Sequence, residues 1–244
     1  MFSFWNKKKV NHFDYGLLHA DMHSHLIPGI DDGAPDMQAS LQLIKGMAEL
    51  GYKKLITTPH IMWDIYKNTR EDILKKYEDL KTAVANEGLD IEIRVAAEYF
   101  LDDYVEKLLE KKEPLLTISQ NMVLVEFSLA NHPFDLKEIL FEMQLQGYQP
   151  VIAHPERYIY PEGRKFFDEL RDSGYLFQLN ILSLVGFYGK EVQKQAHYLA
   201  TNEFYDMAGT DLHNLRHLDV LHDPGLQPAL NKVLESGKIR NPQL

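Results

Sequence analysis

The sequence predicts an α/β protein built from seven strand–helix units. Two observations carry that prediction. Short apolar runs alternate with longer amphipathic ones along the 244 residues, and no Pro/Gly-rich linker, internal repeat or low-complexity tract interrupts them. A third observation bears on how the sheet closes: no glycine-rich phosphate turn comes after the first apolar run, as an open doubly wound sheet would favour. Seven units suit either an irregular closed barrel or an open sheet. At 45% hydrophobic content the chain can bury one large core, so a single domain over 1–244, with a tail at 1–14, is expected.

The strands fall at 17–22, 53–58, 91–97, 122–127, 150–153, 175–180 and 204–208, where apolar, largely β-branched and aromatic residues cluster. Between them, 36–50 reads as a helix because Met37, Leu41, Ile44, Met47 and Ala48 form one stripe that Gly51 ends. In 70–87, Thr69 and Asp72 make a capping box, Ile73, Leu74, Tyr77, Leu80 and Val84 line one side, and Gly88 stops the run. The same pattern predicts helices at 102–112, 135–147, 161–173, 189–202 and 225–236.

Composition removes several classes of function. With no cysteine, disulfides and all thiolate chemistry are excluded, and any metal must sit on nitrogen and oxygen. A net charge of −10 without clustered Lys and Arg argues against nucleic-acid partners. No run of about 18 apolar residues is present to span a bilayer. In MFSFWNKKKV the lysines come after the apolar residues, the reverse of a signal peptide. A soluble cytoplasmic enzyme with no transmembrane segment is therefore expected. The tail Phe2, Phe4, Trp5, Lys7, Lys8 and Lys9 either touches a membrane surface or packs locally.

The residues at the strand ends are the informative ones, because a β/α barrel builds its chemistry at the C-terminal ends of its strands. The first run leads to His23 and His25, two apart, with Asp32 in the next loop. The second ends at His60, the third at Glu98 and the fourth at Glu126. The fifth gives His154 and Arg157, the sixth Asn180, and the seventh Asp211 and His213. A lone histidine is usually structural; His, Asp or Glu at six of seven strand ends points to metal. Five imidazoles and four carboxylates exceed what one ion can use. They suit two or three ions of manganese, iron or zinc, whereas calcium and magnesium prefer oxygen alone. Four carboxylates against three divalent cations leave about two positive charges, which favours a dianion such as a phosphate monoester. Arg157 and Arg216 are the candidate phosphoryl clamps.

The wording HSHLIPGIDDGA, ITTPH, AAEYF, VLVEF, VIAHPERY and GTDLHN, spread over about residues 20–217, resembles the polymerase and histidinol phosphatase (PHP) superfamily. Within it, the combination is similar to the manganese-dependent tyrosine phosphatases of bacterial capsule and exopolysaccharide loci. The resemblance implies a distorted seven-unit (β/α) barrel carrying a trinuclear cluster. It implies that His23, His25, Glu98 and Asp211 hold one ion, that Glu98 bridges to a second held also by Glu126 and His154, and that Asp32, His60 and His213 hold a third. Metal-activated water would then attack phosphorus while Arg157 stabilises the developing charge; Arg216 is carried over less directly, because the arginine after the last ligand pair varies in placement. The implied substrate is a phosphotyrosine protein, the C-terminal tail of a membrane-bound bacterial tyrosine kinase that controls polysaccharide export. A small phosphate monoester such as histidinol phosphate is the alternative. An amidohydrolase reading fits less well, since the fourth strand ends in Glu126 where those enzymes usually carry a lysine. A barrel converted to a pure binding module would have lost ligands, and all nine are present.

Other residues keep two readings. Asp21 either orients a ligand ring or fills the barrel bottom, and Asn180 either contacts phosphate or caps its strand. Trp63, Tyr66, Tyr158, Tyr160, Phe187 and Tyr188 either line a mouth for an aromatic ring or pack loops. His12, His132, His197, His217 and His222 match no ligand position and are expected to be ordinary surface or loop residues.

Overall fold

The computed structural model describes residues 13–244. The aromatic and basic residues expected in the tail, and His12, lie outside the described residues. Phe13 is buried, and Asp14 caps a 3-10 turn at Tyr15–Leu17 by accepting from the Gly16 amide at 2.9 Å.

Among the described residues nine short strands form, all paired in parallel: β1 Ala20–Asp21, β2 Lys54–Thr57, β3 His60–Ile61, β4 Glu92–Val95, β5 Glu98–Phe100, β6 Met122–Glu126, β7 Gln149–Ala153, β8 Leu176–Asn180 and β9 Met207–Gly209. They make two sheets, ordered β1-β2-β4 and β3-β5-β6-β7-β8-β9. The parallel α/β class is as expected; the count of seven is not, because the second and third runs each break in two. Pro59 has no N–H to donate and interrupts the second run. The third run steps with it: the Ala96 amide donates to Thr57 O at 2.8 Å and the Glu98 amide to Pro59 O at 3.1 Å. Both runs therefore pass from one sheet into the other at the same level. A single parallel bridge, Ser24 to Leu212, joins the stretch after β1 to the stretch after β9. The first strand is shorter than expected because His19 takes a left-handed φ of 63° before it.

Seven helices fall where the periodicity places them: α1 Met37–Leu50, α2 Arg70–Asn86, α3 Asp103–Glu110, α4 Leu136–Leu145, α5 Arg164–Asp172, α6 Lys190–Thr201 and, after a further element, α8 Leu226–Leu234. The capping box of α2 forms, with the Asp72 amide donating to Thr69 Oγ1 at 3.2 Å, and Gly51 closes α1 at a φ of 113°. The unexpected element is α7, Leu215–Val220, whose start Asn214 caps by accepting from the His217 amide. Six residues carry too little periodicity to be recognised. Among the described residues no helix is long and apolar enough to cross a membrane.

The strands alternate between two cores. Ala20, Met22, Ile56, Ala96, Leu124, Val151, Leu176 and Met207 form an inner cluster. Their neighbours, among them Leu55, Val123, Val125, Ile152, Phe177 and Ala208, pack outward against the helices. Fully burying one such aliphatic side chain contributes about 1.5–3 kcal/mol, so this alternation holds each strand's register. The period of two then sets the chemistry. Glu98 comes two after Ala96 on the inner face, Glu126 two after Leu124, and Gln178 and Asn180 continue the parity of Leu176.

A candidate metal centre at the strand ends

Register brings the first donors together. His60 of β3 pairs with Glu98 of β5, and Glu126 ends β6 opposite Phe100 of β5. Two more donors sit on left-handed backbone, His154 at a φ of 34° just past β7 and Asp211 at 52° just past β9. Such conformations cost a non-glycine residue about 1–3 kcal/mol each, and they cluster where surrounding structure enforces them. Here the enforcement is visible. The Asp211 amide donates to His23 O at 2.8 Å, and the His25 amide to Leu212 O at 2.9 Å.

All nine expected donors converge. His23 Nε2 lies 3.1 Å from Glu98 Oε2, 3.3 Å from Asp211 Oδ1 and 3.3 Å from His25 Nε2; His25 Nε2 is 3.4 Å from each of the same two carboxylate oxygens. These four ligand atoms all lie within 4.8 Å of one another, close enough to share one ion at metal–ligand distances of about 2 Å. His154 Nε2 approaches Glu98 Oε1 at 3.1 Å and Glu126 Oε2 at 3.6 Å. His60 and His213 both aim Nε2 at Asp32 Oδ1, at 3.5 and 3.4 Å. His25 joins this last group, and His60 also joins Glu98 and Glu126, with Nδ1 2.9 Å from Glu126 Oε1.

The donor set fits metal ions. His60 Nδ1 is buried and makes no hydrogen bond, although it is close to a carboxylate oxygen. Two ring nitrogens meeting at 3.3 Å, as in His23 and His25, cannot both donate. Such contacts leave lone pairs converging on shared points, which a cation satisfies and a hydrogen-bond network does not.

Electrostatics agree. Burial opposes charge on His23, yet the Glu98 and Asp211 carboxylates outweigh it and push the imidazole up to about 9. Burial likewise opposes the charge of Glu98 and Asp211, and the facing histidines hold both well below the usual carboxylate range. The hydrogen bond with His213 holds Asp32 low. Without metal, protons on the imidazoles neutralise the cluster.

A surrounding shell aims the donors. Asp31 Oδ2 meets His25 Nδ1 at 2.9 Å and accepts from the His60 amide at 3.1 Å. Gln178 Oε1 takes His23 Nδ1 at 2.9 Å and also the His154 amide at 3.2 Å. In each case a bound Nδ1–H leaves Nε2 free to ligate. Asn180 caps the turn that follows its strand, its Oδ1 accepting from the Leu182 amide at 3.0 Å, and its Nδ2 donates to Asp211 Oδ2 at 2.9 Å. Asp21 touches no ligand ring. It accepts from the Thr210 amide and hydroxyl at 2.8 and 2.9 Å, bracing the turn that carries Asp211, and burial pushes it up to about 7. Sequence reasoning missed Asp31 and Gln178. The doubled acid of GIDDGA and the inward parity of 178 were the available signals.

A cavity of about 260 Å3 opens on Asp32, His60, Glu98, Glu126, His154, Asp211 and His213. Arg157 stands in its wall, 3.3 Å from Asp211 Oδ2 and 4.7 Å from the Tyr188 ring, on a turn that buried Glu156 anchors to the Asn180 amide and Ser183. Arg216 is not brought there: it is exposed and lies over Phe187, because α7 turns it outward. His217, expected to be ordinary, lines the cavity instead, with Nδ1 3.0 Å from Asp211 O. Of the aromatic candidates Tyr188 lines the cavity and Tyr66 stacks on His60; Tyr158 is buried against Phe127, and Trp63 stacks on Tyr104.

Fold and donor set together define a class, the parallel α/β proteins whose strand ends gather imidazoles and carboxylates able to hold metal ions. This chain belongs to the capsular polysaccharide synthesis family CpsB/CapC, whose model matches residues 19–235. It is 28% identical over 197 residues to the tyrosine-protein phosphatase YwqE of Bacillus subtilis, covering 80% of this chain and 78% of that protein. With the tyrosine-protein phosphatase CpsB of Streptococcus pneumoniae it shares 29% over 202 residues, covering 80% and 83%. A structure from the crystallographic description of YwqE and CpsB as metal-dependent tyrosine phosphatases superposes with a TM-score of 0.78 at 26% identity, covering 92% of this chain and 90% of that one.

Proposed function

We propose that this protein is a metal-dependent phosphotyrosine-protein phosphatase of capsule and exopolysaccharide regulation, acting in the cytoplasm on the C-terminal tail of a bacterial tyrosine kinase. The observation that carries the reading is the convergence of nine imidazole and carboxylate side chains, seven of which line one cavity with a guanidinium in its wall. The seven runs are read as one distorted barrel and one catalytic domain, with the Ser24–Leu212 bridge as its seam.

His23, His25, Glu98 and Asp211 would hold one ion, Glu98, Glu126 and His154 a second, and Asp32, His60 and His213 a third, manganese being the metal proposed. Bound divalent ions supply Lewis acidity and lower the pKa of water towards neutrality, giving the nucleophile that no cysteine is present to provide. The chain's own groups do the rest. Arg157 presents a two-pronged donor to phosphoryl oxygens and, kept charged by Asp211 despite its burial, favours charge that grows on them. Asp31 and Gln178 keep two ligand rings in the tautomer that ligates. Tyr188, packed under the guanidinium, fixes its direction.

The test is metal analysis of the purified protein together with turnover of phosphotyrosyl, phosphoseryl and histidinol phosphate substrates. Bound transition metal and preference for the phosphotyrosyl peptide are expected. Metal-loaded protein that hydrolyses no phosphoester, or that favours histidinol phosphate, would overturn the assignment.

A further inference from the structure

Exposed apolar side chains are normal when scattered singly, and here they are not scattered. Among the described residues nine large apolar side chains are exposed, and six of them, Trp63, Ile65, Leu129, Phe134, Ile159 and Leu215, lie on segments just past the C-terminal ends of β3, β6, β7 and β9. Those are the strands that deliver His60, Glu126, His154 and Asp211 to the cavity. Trp63 is three positions past His60, Leu129 three past Glu126, Ile159 two past Arg157 and Leu215 two past His213. Three residues of extended chain reach at most about 10 Å, so Trp63, Leu129, Ile159 and Leu215 lie within that distance of residues that line the cavity, and Ile65 and Phe134 follow further along two of the same segments. Leu129 and Ile159 come from the loops after neighbouring strands, and the Tyr160 hydroxyl donates to Ser128 O, tying the two loops together.

From this we infer that the rim is a docking surface for a phosphotyrosyl segment whose residues flanking the phosphotyrosine are apolar. The inference rests on the phosphatase reading and names its substrate class more closely. The cavity is polar and takes the phosphate; a small phosphate monoester would fill it and leave the apolar rim in water. An extended segment held by its phosphotyrosine must cross that rim within a few residues on each side. Charge excludes the other apolar occupant, an anionic bilayer. The segments 62–69, 127–135, 158–163 and 213–216 carry Asp64, Asp135 and Glu162 against Lys67 and Arg216, with none of the clustered base that holds anionic lipid.

The experiment uses the metal-loaded full chain with three substrates: p-nitrophenyl phosphate, a phosphotyrosyl peptide flanked by Leu, Ile and Phe, and the same peptide flanked by Ser and Asn. Leu129, Phe134 and Ile159 are 46%, 103% and 50% exposed, so their replacement leaves the core intact. The wild type is expected to favour the apolar peptide by about tenfold in kcat/KM, the scale of a few methylenes transferred from water. The double variant Leu129→Ser/Ile159→Ser, and separately Phe134→Ser, should reduce that preference through KM while p-nitrophenyl phosphate turnover stays within about twofold. Equal turnover of the two peptides by the wild type, or a preference that survives both variants, overturns the docking surface and leaves the phosphatase reading standing. Loss of all three activities overturns both. Cosedimentation with phosphatidylglycerol vesicles that the variants abolish, without any peptide preference, would hand the rim to a membrane and overturn the inference.

Discussion

Gly33→Ala should disable the centre without touching any donor. A Cβ at Gly33 would lie 2.2 Å from His25 O and 2.4 Å from His25 Cβ, against an ordinary contact of 3.4 Å or more. Relief requires about 1 Å of relative movement. The turn cannot lift away freely: the Ala34 amide donates to His25 O at 3.0 Å, the Gly33 amide to Asp31 Oδ1 at 2.9 Å and the Gly29 amide to Ala34 O at 2.8 Å. Either His25 moves or these bonds open, each costing about 1 kcal/mol. Donor cages tolerate little. Moving His25 Nε2 by about 1 Å takes it out of a bond about 2 Å long, and a displacement of that size at a reacting centre costs about 10²-fold. We expect Gly33→Ala to fold, to melt a few degrees lower, to lose bound metal and to fall about 10²-fold in kcat/KM on a phosphotyrosyl peptide. Gly147→Ala is the control: at a φ of 87° with open space around it, alanine costs about 1 kcal/mol in stability and nothing in activity. Wild-type metal content and kcat/KM within about threefold in Gly33→Ala would refute the idea that the 25–34 turn sets the cage.

Three further outcomes are expected. His23 is raised from 6.5 to about 9, so metal-free protein has that contribution in full below pH 6.5 and loses it as pH climbs through 9. Glu98 and Asp211 are depressed, and their contribution disappears only in acid. The thermal midpoint of EDTA-treated protein should therefore fall from pH 6.5 to 9 while that of metal-loaded protein holds, and a constant gap would contradict the account. Asp31→Asn removes the charge behind His25 and should weaken metal binding about 10–100-fold in competition with a chelator; unchanged affinity would show that the carboxylate does not steer the ring. Arg157→Lys keeps the charge and loses the fork, so kcat on phosphotyrosyl peptide should drop about 10²-fold at normal metal content, whereas a retained rate would reduce Arg157 to a point charge.

The donors were legible because all but Asp32, which lies in a loop, follow the end of a hydrophobic run, and a parallel sheet places the ends of its strands at one rim. Periodicity likewise marked seven of the eight helices among the described residues. It failed where structure depends on partners distant in sequence. The break at Pro59 was written in the chain, but the matching break at Ala96 is imposed by hydrogen bonds to Thr57 and Pro59 and has no local mark. His19 reads as strand and is turned left-handed by the preceding 3-10 turn. Gln178 looks like any polar residue in a strand, and its contact to His23 spans 155 positions. Arg216 and His217 exchange their expected places because the short α7 rotates one outward and the other in.

The Ser24–Leu212 bridge has a mechanical consequence. One bridge is a weak latch between the first and last strands, yet His23 and His25 stand on one side of it and Asp211 and His213 on the other. A cation shared by His23 and Asp211 would close a loop of about 190 residues, a constraint of about 5 kcal/mol in chain entropy. Bound ions would then double as a cross-link between the first and last strands, and the contact between these strands would loosen once the ions leave.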